Sequence, residues 1–257
     1  MIRYLLTAAA VCALSACAGA STPRQVVDDP SMGLRAAKLE GYFAANPLDG
    51  TRVLAPPPTP DSPHGKADRT MFEETRKLEG SPRWQTAIVD NDLWGGGALK
   101  RFSCAMGVDL NARTTPVTWR ILHRVELDVR TVGTPAKNAY NRPRPLIGND
   151  APLCVPREDW MKTNSSYPSG HSMTTWSWGL ILTELAPLHA DQLLQVGREG
   201  GESRVICGVH YLSDVEAGRT MGSAMVARLH SEPAFETDMA AARREIAAAR
   251  GAPAGCS

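Results

Sequence analysis

From residue 69 to residue 249 the sequence repeats one pattern: apolar side chains three and four apart, stopped by glycine, proline or a polar cluster. Segment 212–230 is the clearest instance, with Val215, Gly218, Met221, Gly222, Met225, Val226 and Leu229 on one helical face. Period-two alternation bounded by Asn-Gly-type turns, the mark of half-buried strands, is essentially missing. The pattern constrains the chain to helices packed on helices, an all-α, single-domain helical bundle. The expected helices are 34–45, 69–79, 82–92, 95–106, 114–131, 136–141, 170–185, 189–198, 212–230 and 233–249. Asp68 and Ser81 are candidate N-caps, with Pro82 in a first turn. Gly218 and Gly222 each cost about 1 kcal/mol relative to Ala in a helix interior, which points to close approach of a neighbouring helix.

The N-terminus is of a different kind. Met1-Ile2-Arg3 opens with a positive charge, and residues 4–16 are almost all small or apolar. That stretch is too short to span a bilayer and reads as an export signal over residues 1–20. Leu14-Ser15-Ala16-Cys17 has the form of a lipobox, so cleavage before Cys17 with acylation of its thiol competes with cleavage after Ala18 or Ala20. Residues 21–66 are then a linker, a short helix and a Pro-rich extended segment; 67–250 form the catalytic helical domain, and 251–257 a tail. The expected location is the periplasm, with membrane attachment only through a lipid on Cys17. In that oxidising compartment Cys104, Cys154, Cys207 and Cys256 allow one or two disulfides in any of three full pairings, with a buried free thiol the alternative for Cys207. The net charge of +1 gives no reason to expect nucleic acid.

Three clusters carry chemistry. In the first, Lys137 and Arg144 are seven apart, but Pro143 and Pro145 prevent a regular helix at the far end, so the two cations would converge from a helix and its bent exit. In the second, Ser166-Tyr167-Pro168-Ser169-Gly170-His171 precedes a long apolar segment. Ser169 would cap the helix there, and the N–H groups at Ser169, Gly170 and His171 would form an anion site. In the third, His210 and Asp214 are four apart and would share a helix face, with the carboxylate orienting the imidazole. Arg204 offers a forked grip on phosphate oxygens. Each cluster alone has an ordinary explanation: a solvated basic run, a simple cap, a surface ion pair. Together they supply three cations, a helix N-terminus and two imidazoles, which is what phosphoryl transfer requires. His64, His123, His189 and His230 lack comparable partners and read as surface or packing residues. An aromatic fraction of 6% offers no evident stacking platform for a substrate ring.

In order, Lys137…Arg144-Pro145, Pro168-Ser169-Gly170-His171 and Ser203-Arg204…His210…Asp214 resemble the signature of the phosphatidic acid phosphatase type 2 superfamily. Leu54-Ala-Pro-Pro-Pro, Gly80-Ser-Pro-Arg-Trp84, Phe102-Ser-Cys104 and Ser203-Arg-Val-Ile-Cys-Gly208 are similar to the class A bacterial nonspecific acid phosphatases within it. Ser165 and Ser172 depart from the class's usual Gly and Thr around the central motif, which bears on loop detail and substrate preference. The resemblance implies broad phosphomonoester hydrolysis through a phosphohistidine on His210, with Asp214 its orienter and His171 the acid and then base. It also implies Lys137, Arg144, Ser169, Gly170 and Arg204 as phosphate-binding residues, no metal or other cofactor, and a homo-oligomer. A vanadium haloperoxidase, a membrane lipid phosphatase and a silent phosphate-binding lipoprotein are the rival readings.

Overall fold

The computed structural model describes residues 39–44 and 48–256. The expected leader, its cleavage positions and Cys17 lie outside the described residues, as does most of the linker. Within them the protein is helical and has no β-sheet. The elements are α1 (Gly50–Val53), α2 (Pro63–Arg76), α3 (Pro82–Asp90), α4 (Gly97–Met106), α5 (Pro116–Tyr140), α6 (Trp160–Thr163), α7 (Gly170–Leu185), α8 (Ala190–Ile206), α9 (Leu212–Leu229) and α10 (Pro233–Ala248). Among the described residues none of these is long and apolar enough to cross a membrane.

The apolar α7 is the central helix. Trp178, Ile181 and Leu182 are fully buried among Phe102 of α4, Ile121 and Leu122 of α5, and Met221 and Met225 of α9. α8 and α9 lie close against α7 because both present glycine to it. A Cβ on Gly218 would come within 2.6 Å of the Ser169 carbonyl oxygen, and one on Gly222 within 3.0 Å of that of Met173. The expected close approach is therefore present. The same device explains why the helix expected at 189–198 runs on to Ile206 through Gly200 and Gly201: a Cβ at Gly200 would meet the Thr175 side chain at 2.8 Å, so packing overrides poor local propensity.

Other boundaries differ for physical reasons. The helices expected at 114–131 and 136–141 are one, because Val132, Gly133 and Ala136 are buried and hold α5 through Pro135. Pro135 forfeits one backbone bond without ending the helix. Residues 39–44 are not helical; the buried Asp128 carboxylate takes the N–H groups of Tyr42 (2.8 Å) and Phe43 (3.1 Å) instead. Ser62, not Asp68, caps α2, its hydroxyl accepting from the Gly65 N–H. Asp68 is buried on the inner face of that helix. Ser81 does cap α3, with Pro82 at its first position.

Two disulfides pin the loops: Cys104–Cys256 fastens the chain end to α4, and Cys154–Cys207 ties the 141–169 connection to the end of α8. Cys207 is thus not a free thiol. Arg76 of α2 reinforces that tie, donating to the carbonyls of Pro152, Val205 (2.9 Å) and Ile206.

The α7–α8 seam yields a test. A Cβ on Gly197 would lie 2.8 Å from the Thr175 carbonyl oxygen, which is backbone and cannot yield. Gly197→Val is expected to cost about 1–3 kcal/mol or more, read as a lower midpoint in chemical denaturation; an unchanged midpoint contradicts this packing.

Candidate active site

The site forms where three chain segments are folded back at helix ends. α8 ends in a turn through Gly208 (φ 76°), in which the Arg204 carbonyl accepts the N–H groups of both Val209 (3.1 Å) and His210 (3.3 Å). A side chain at Gly208 would also strike the Arg76 guanidinium. This turn carries His210 back over Arg204. It also corrects the expected helix face: His210 precedes α9 by two residues, and Asp214 lies in the first turn of that helix. They meet across a helix N-terminus. α5 ends at Asn141 in the left-handed region, and Arg142 and Arg144 turn inward from the irregular segment that follows, as the two prolines suggest. The N-termini of α7 and α9 are joined by the Ser169 N–H on the Asp214 carbonyl (2.9 Å) and the Ser172 hydroxyl on that of Val215 (2.7 Å).

Lys137, Arg144, Arg204, Gly170, His171 and His210 line one cavity of about 460 Å³. Asp214 stands behind them, fully buried. One of its oxygens accepts from Arg142 (2.5 Å). The other accepts from the Ser166 hydroxyl (2.5 Å) and the Tyr211 N–H (2.8 Å), and lies 3.5 Å from His210 Nδ1. Ser166 Oγ is 3.3 Å from that same Nδ1, so it links the ring to the carboxylate. On the far side Arg144 Nη1 donates to His210 Nε2 at 3.1 Å. A guanidinium can only donate, so Nε2 carries the lone pair and Nδ1 the proton. Burial, then Arg144, Lys137 and Arg204, push the His210 pKa well below the usual range, with the Ser166 backbone opposing them. The ring is neutral.

His171 donates from Nε2 to the Asn91 carbonyl (3.1 Å), leaving Nδ1 as its titrating nitrogen. Its pKa is also well lowered, by burial and then by Arg204. The three cations are held by neutral oxygens. Lys137 donates to the Ser165 carbonyl (2.6 Å); Arg144 to Asn164 and to the Val209 carbonyl (3.0 Å); Arg204 to Asn91 Oδ1 (2.5 Å), with its Nε unpartnered. Burial and the neighbouring Arg144 lower the Lys137 pKa to about 7, and burial lowers Arg144 to about 10 and Arg204 to about 9.

The fold thus brings together every residue expected here except Ser169. That residue is buried at the cap of α7, with its N–H spent on Asp214 and its Oγ accepting from Ser172. Sequence reading missed Arg142, which bridges Asp68 (2.8 Å) to Asp214, although it stands only two residues before Arg144 in a run of inward-turned arginines. It missed Ser166, in plain view in the second cluster. It missed Asn91 as well, which no local signal marks; at the end of α3 it holds Arg204 with its side chain and His171 with its backbone. Of the remaining histidines, His123 is buried in packing, stacked on Trp119 at 3.9 Å. His230 differs from expectation, since it bridges Glu184 and Glu236.

The profile of the PAP2 superfamily matches residues 128–234, the span that supplies all three clusters. An acid phosphatase of Zymomonas mobilis is 41% identical over 211 residues, covering 81% of this chain and 78% of that protein. A non-specific acid phosphatase of Salmonella typhimurium is 37% identical over 199 residues, covering 75% and 78%. A bacterial vanadium-dependent iodoperoxidase shares the fold at a TM-score of 0.53 and 18% identity, over 82% of this chain; the chain spans 62% of that protein. The chain belongs to the PAP2 superfamily and, within it, to the acid phosphatases. It is accordingly a phosphatase with the all-α fold of that superfamily.

The lowered Lys137 pKa has a pH consequence. A lysine is cationic below its pKa, so the free site loses one positive charge as pH rises through about 7. kcat/KM, which reports the free enzyme, is expected to fall more steeply above neutrality, and Lys137→Arg should move that steeper limb to higher pH. A limb that stays in place in Lys137→Arg contradicts the assignment.

Proposed function

We propose that the chain hydrolyses phosphate monoesters of broad type through a covalent phosphohistidine on Nε2 of His210. The observation that carries this reading is the arrangement of that one ring: Nδ1 committed to Ser166 and Asp214, and the Nε2 lone pair turned to Arg144 beside two further cations. A neutral imidazole held in one tautomer is a competent nucleophile. Arg144 Nη1 exchanges Nε2 for a phosphate oxygen as the substrate docks, freeing the lone pair. Lys137, Arg204 and the N-terminus of α7 at Gly170 take the remaining oxygens.

In the first step the Nε2–P bond forms while the bond from phosphorus to the leaving oxygen breaks, and His171 Nδ1–H gives its proton to that oxygen. Cations depress the His171 pKa in the free site, and a phosphate dianion opposes them, so substrate binding itself favours the protonated ring. In the second step neutral His171 takes a proton from water, the water oxygen bonds to phosphorus, and the N–P bond breaks to release inorganic phosphate. The acid–base role contributes about 10²–10⁴-fold.

On this reading Ser169 acts by fixing the start of α7. Neither a metal nor another cofactor is needed, and the substrates are small organic phosphates, not nucleic acid. Export to the periplasm, an N-terminal lipid on Cys17 and a homo-oligomeric state belong to the same proposal. The test is turnover of a phosphomonoester panel with excess chelator present, together with acid-quench trapping of labelled phosphate. Wild type is expected to turn over and to yield a labile phosphoenzyme; His210→Ala should yield none. Trapping at normal yield in His210→Ala, or loss of activity with chelator restored by a divalent cation, overturns the corresponding part.

A further inference from the structure

The cavity is larger than its phosphate-gripping residues need. At about 460 Å³ it falls in the range of pockets that enclose whole small molecules, about 300–1,000 Å³. A phosphate group fills a small part of it, so most of the volume receives what the phosphate is attached to. Beyond the three gripping cations the wall is mixed: Leu93, Val129 and Met173 line it together with Thr134 and the Glu126–Arg130 ion pair. A Cβ on Gly133 would meet only the Met173 methyl, at 3.4 Å, so α5 leaves open space along this wall.

Trp160 lines the same cavity from α6. It is 47% exposed, an unusual position for so large an apolar side chain. Its ring is nonetheless fixed. The indole N–H donates to Glu158 Oε2 at 2.7 Å, and the Arg144 guanidinium lies 5.2 Å from the ring centroid. An indole oriented at both ends, accessible, and set against the arginine that touches His210 is a preformed stacking surface. The low aromatic content of the sequence gave no hint of it, because one well-placed tryptophan suffices.

We propose that Trp160 is a specificity-determining residue, and that the leaving-group end of the cavity takes a planar aromatic group stacked on its indole. The ring of an aryl phosphate and the base of a nucleotide share that chemistry. This rests on the phosphomonoesterase reading above and names its preferred leaving groups.

The experiment compares kcat/KM for phenyl phosphate and a nucleoside 5′-monophosphate with that for glycerol 2-phosphate, which has no ring, in wild type, Trp160→Phe and Trp160→Ala. In Trp160→Ala at least one aromatic-to-glycerol ratio is expected to fall roughly three- to tenfold, mostly through KM. Trp160→Phe should retain most of it. A fall with phenyl phosphate places the ring next to the leaving oxygen; a fall with the nucleotide alone places it a sugar's length away. Inhibition by inorganic phosphate, measured in parallel, reports any disturbance of Arg144. Ratios unchanged in Trp160→Ala, or equal losses on all three substrates, overturn the proposal. The underlying reading fails separately, if wild type turns over none of the three.

Discussion

The structure depends on satisfying one carboxylate in a place that water does not reach. Asp214 is fully buried, and an unpaired charge there would cost several kcal/mol. The chain satisfies it from four directions: Arg142 from the exit of α5, Ser166 from the connection before α7, the Tyr211 N–H at the start of α9, and His210 from the end of α8. Asp68 of α2 continues the chain of charges by holding the other arm of Arg142 and the Ser213 hydroxyl. A single series of acceptors and donors, Asp68–Arg142–Asp214–His210–Arg144, thus crosses the molecule from α2 to the cavity. Each member has its orientation set by the one before it, and the last contact falls on the nitrogen proposed to attack phosphorus.

The cavity side is built on the opposite logic. Lys137, Arg144 and Arg204 converge while being held by carbonyl and amide oxygens, so their charges are positioned without being neutralised. Burial and mutual repulsion lower the pKa of Lys137 to about 7 and push both imidazoles well below their usual range. A dianion entering this cage relieves that repulsion, which is a physical reason for phosphate binding and for a change in the protonation of His171 to accompany one another. The carboxylate behind the ring and the cations in front of it are placed for different work: one fixes the tautomer of His210, the others, in the proposed reaction, receive the phosphate's charge.

Much of this could be read from the sequence, and the exceptions share a cause. Helical periodicity identified the bundle, and residue order identified Lys137, Arg144, His171, Arg204, His210 and Asp214, because their motifs are local. Residues whose role is set by tertiary partners were not legible. Asn91 reaches His171 and Arg204 across 80 and 113 positions of sequence. Arg142 was hidden within a basic run whose members look alike until they are folded. Asp68 resembled a cap, and only burial against Arg142 distinguishes it from one. The helix expected to end at 198 runs on through Gly200 and Gly201, which mark the seam where α8 meets α7. Local propensity set these expectations, and close packing and buried charge reversed them.

The proposed reaction turns on a single atom, Nε2 of His210. Phosphohistidine is stable to alkali, so phosphoenzyme formed by wild type with a phosphomonoester can be quenched in base, digested, and its phosphopeptide sequenced, with the ring isomer assigned by phosphorus NMR. Phosphate is expected on His210, attached at Nε2, because Nδ1 is held against Ser166 and Asp214. Phosphate attached at Nδ1, or carried by His171 or any other residue, would contradict that reaction.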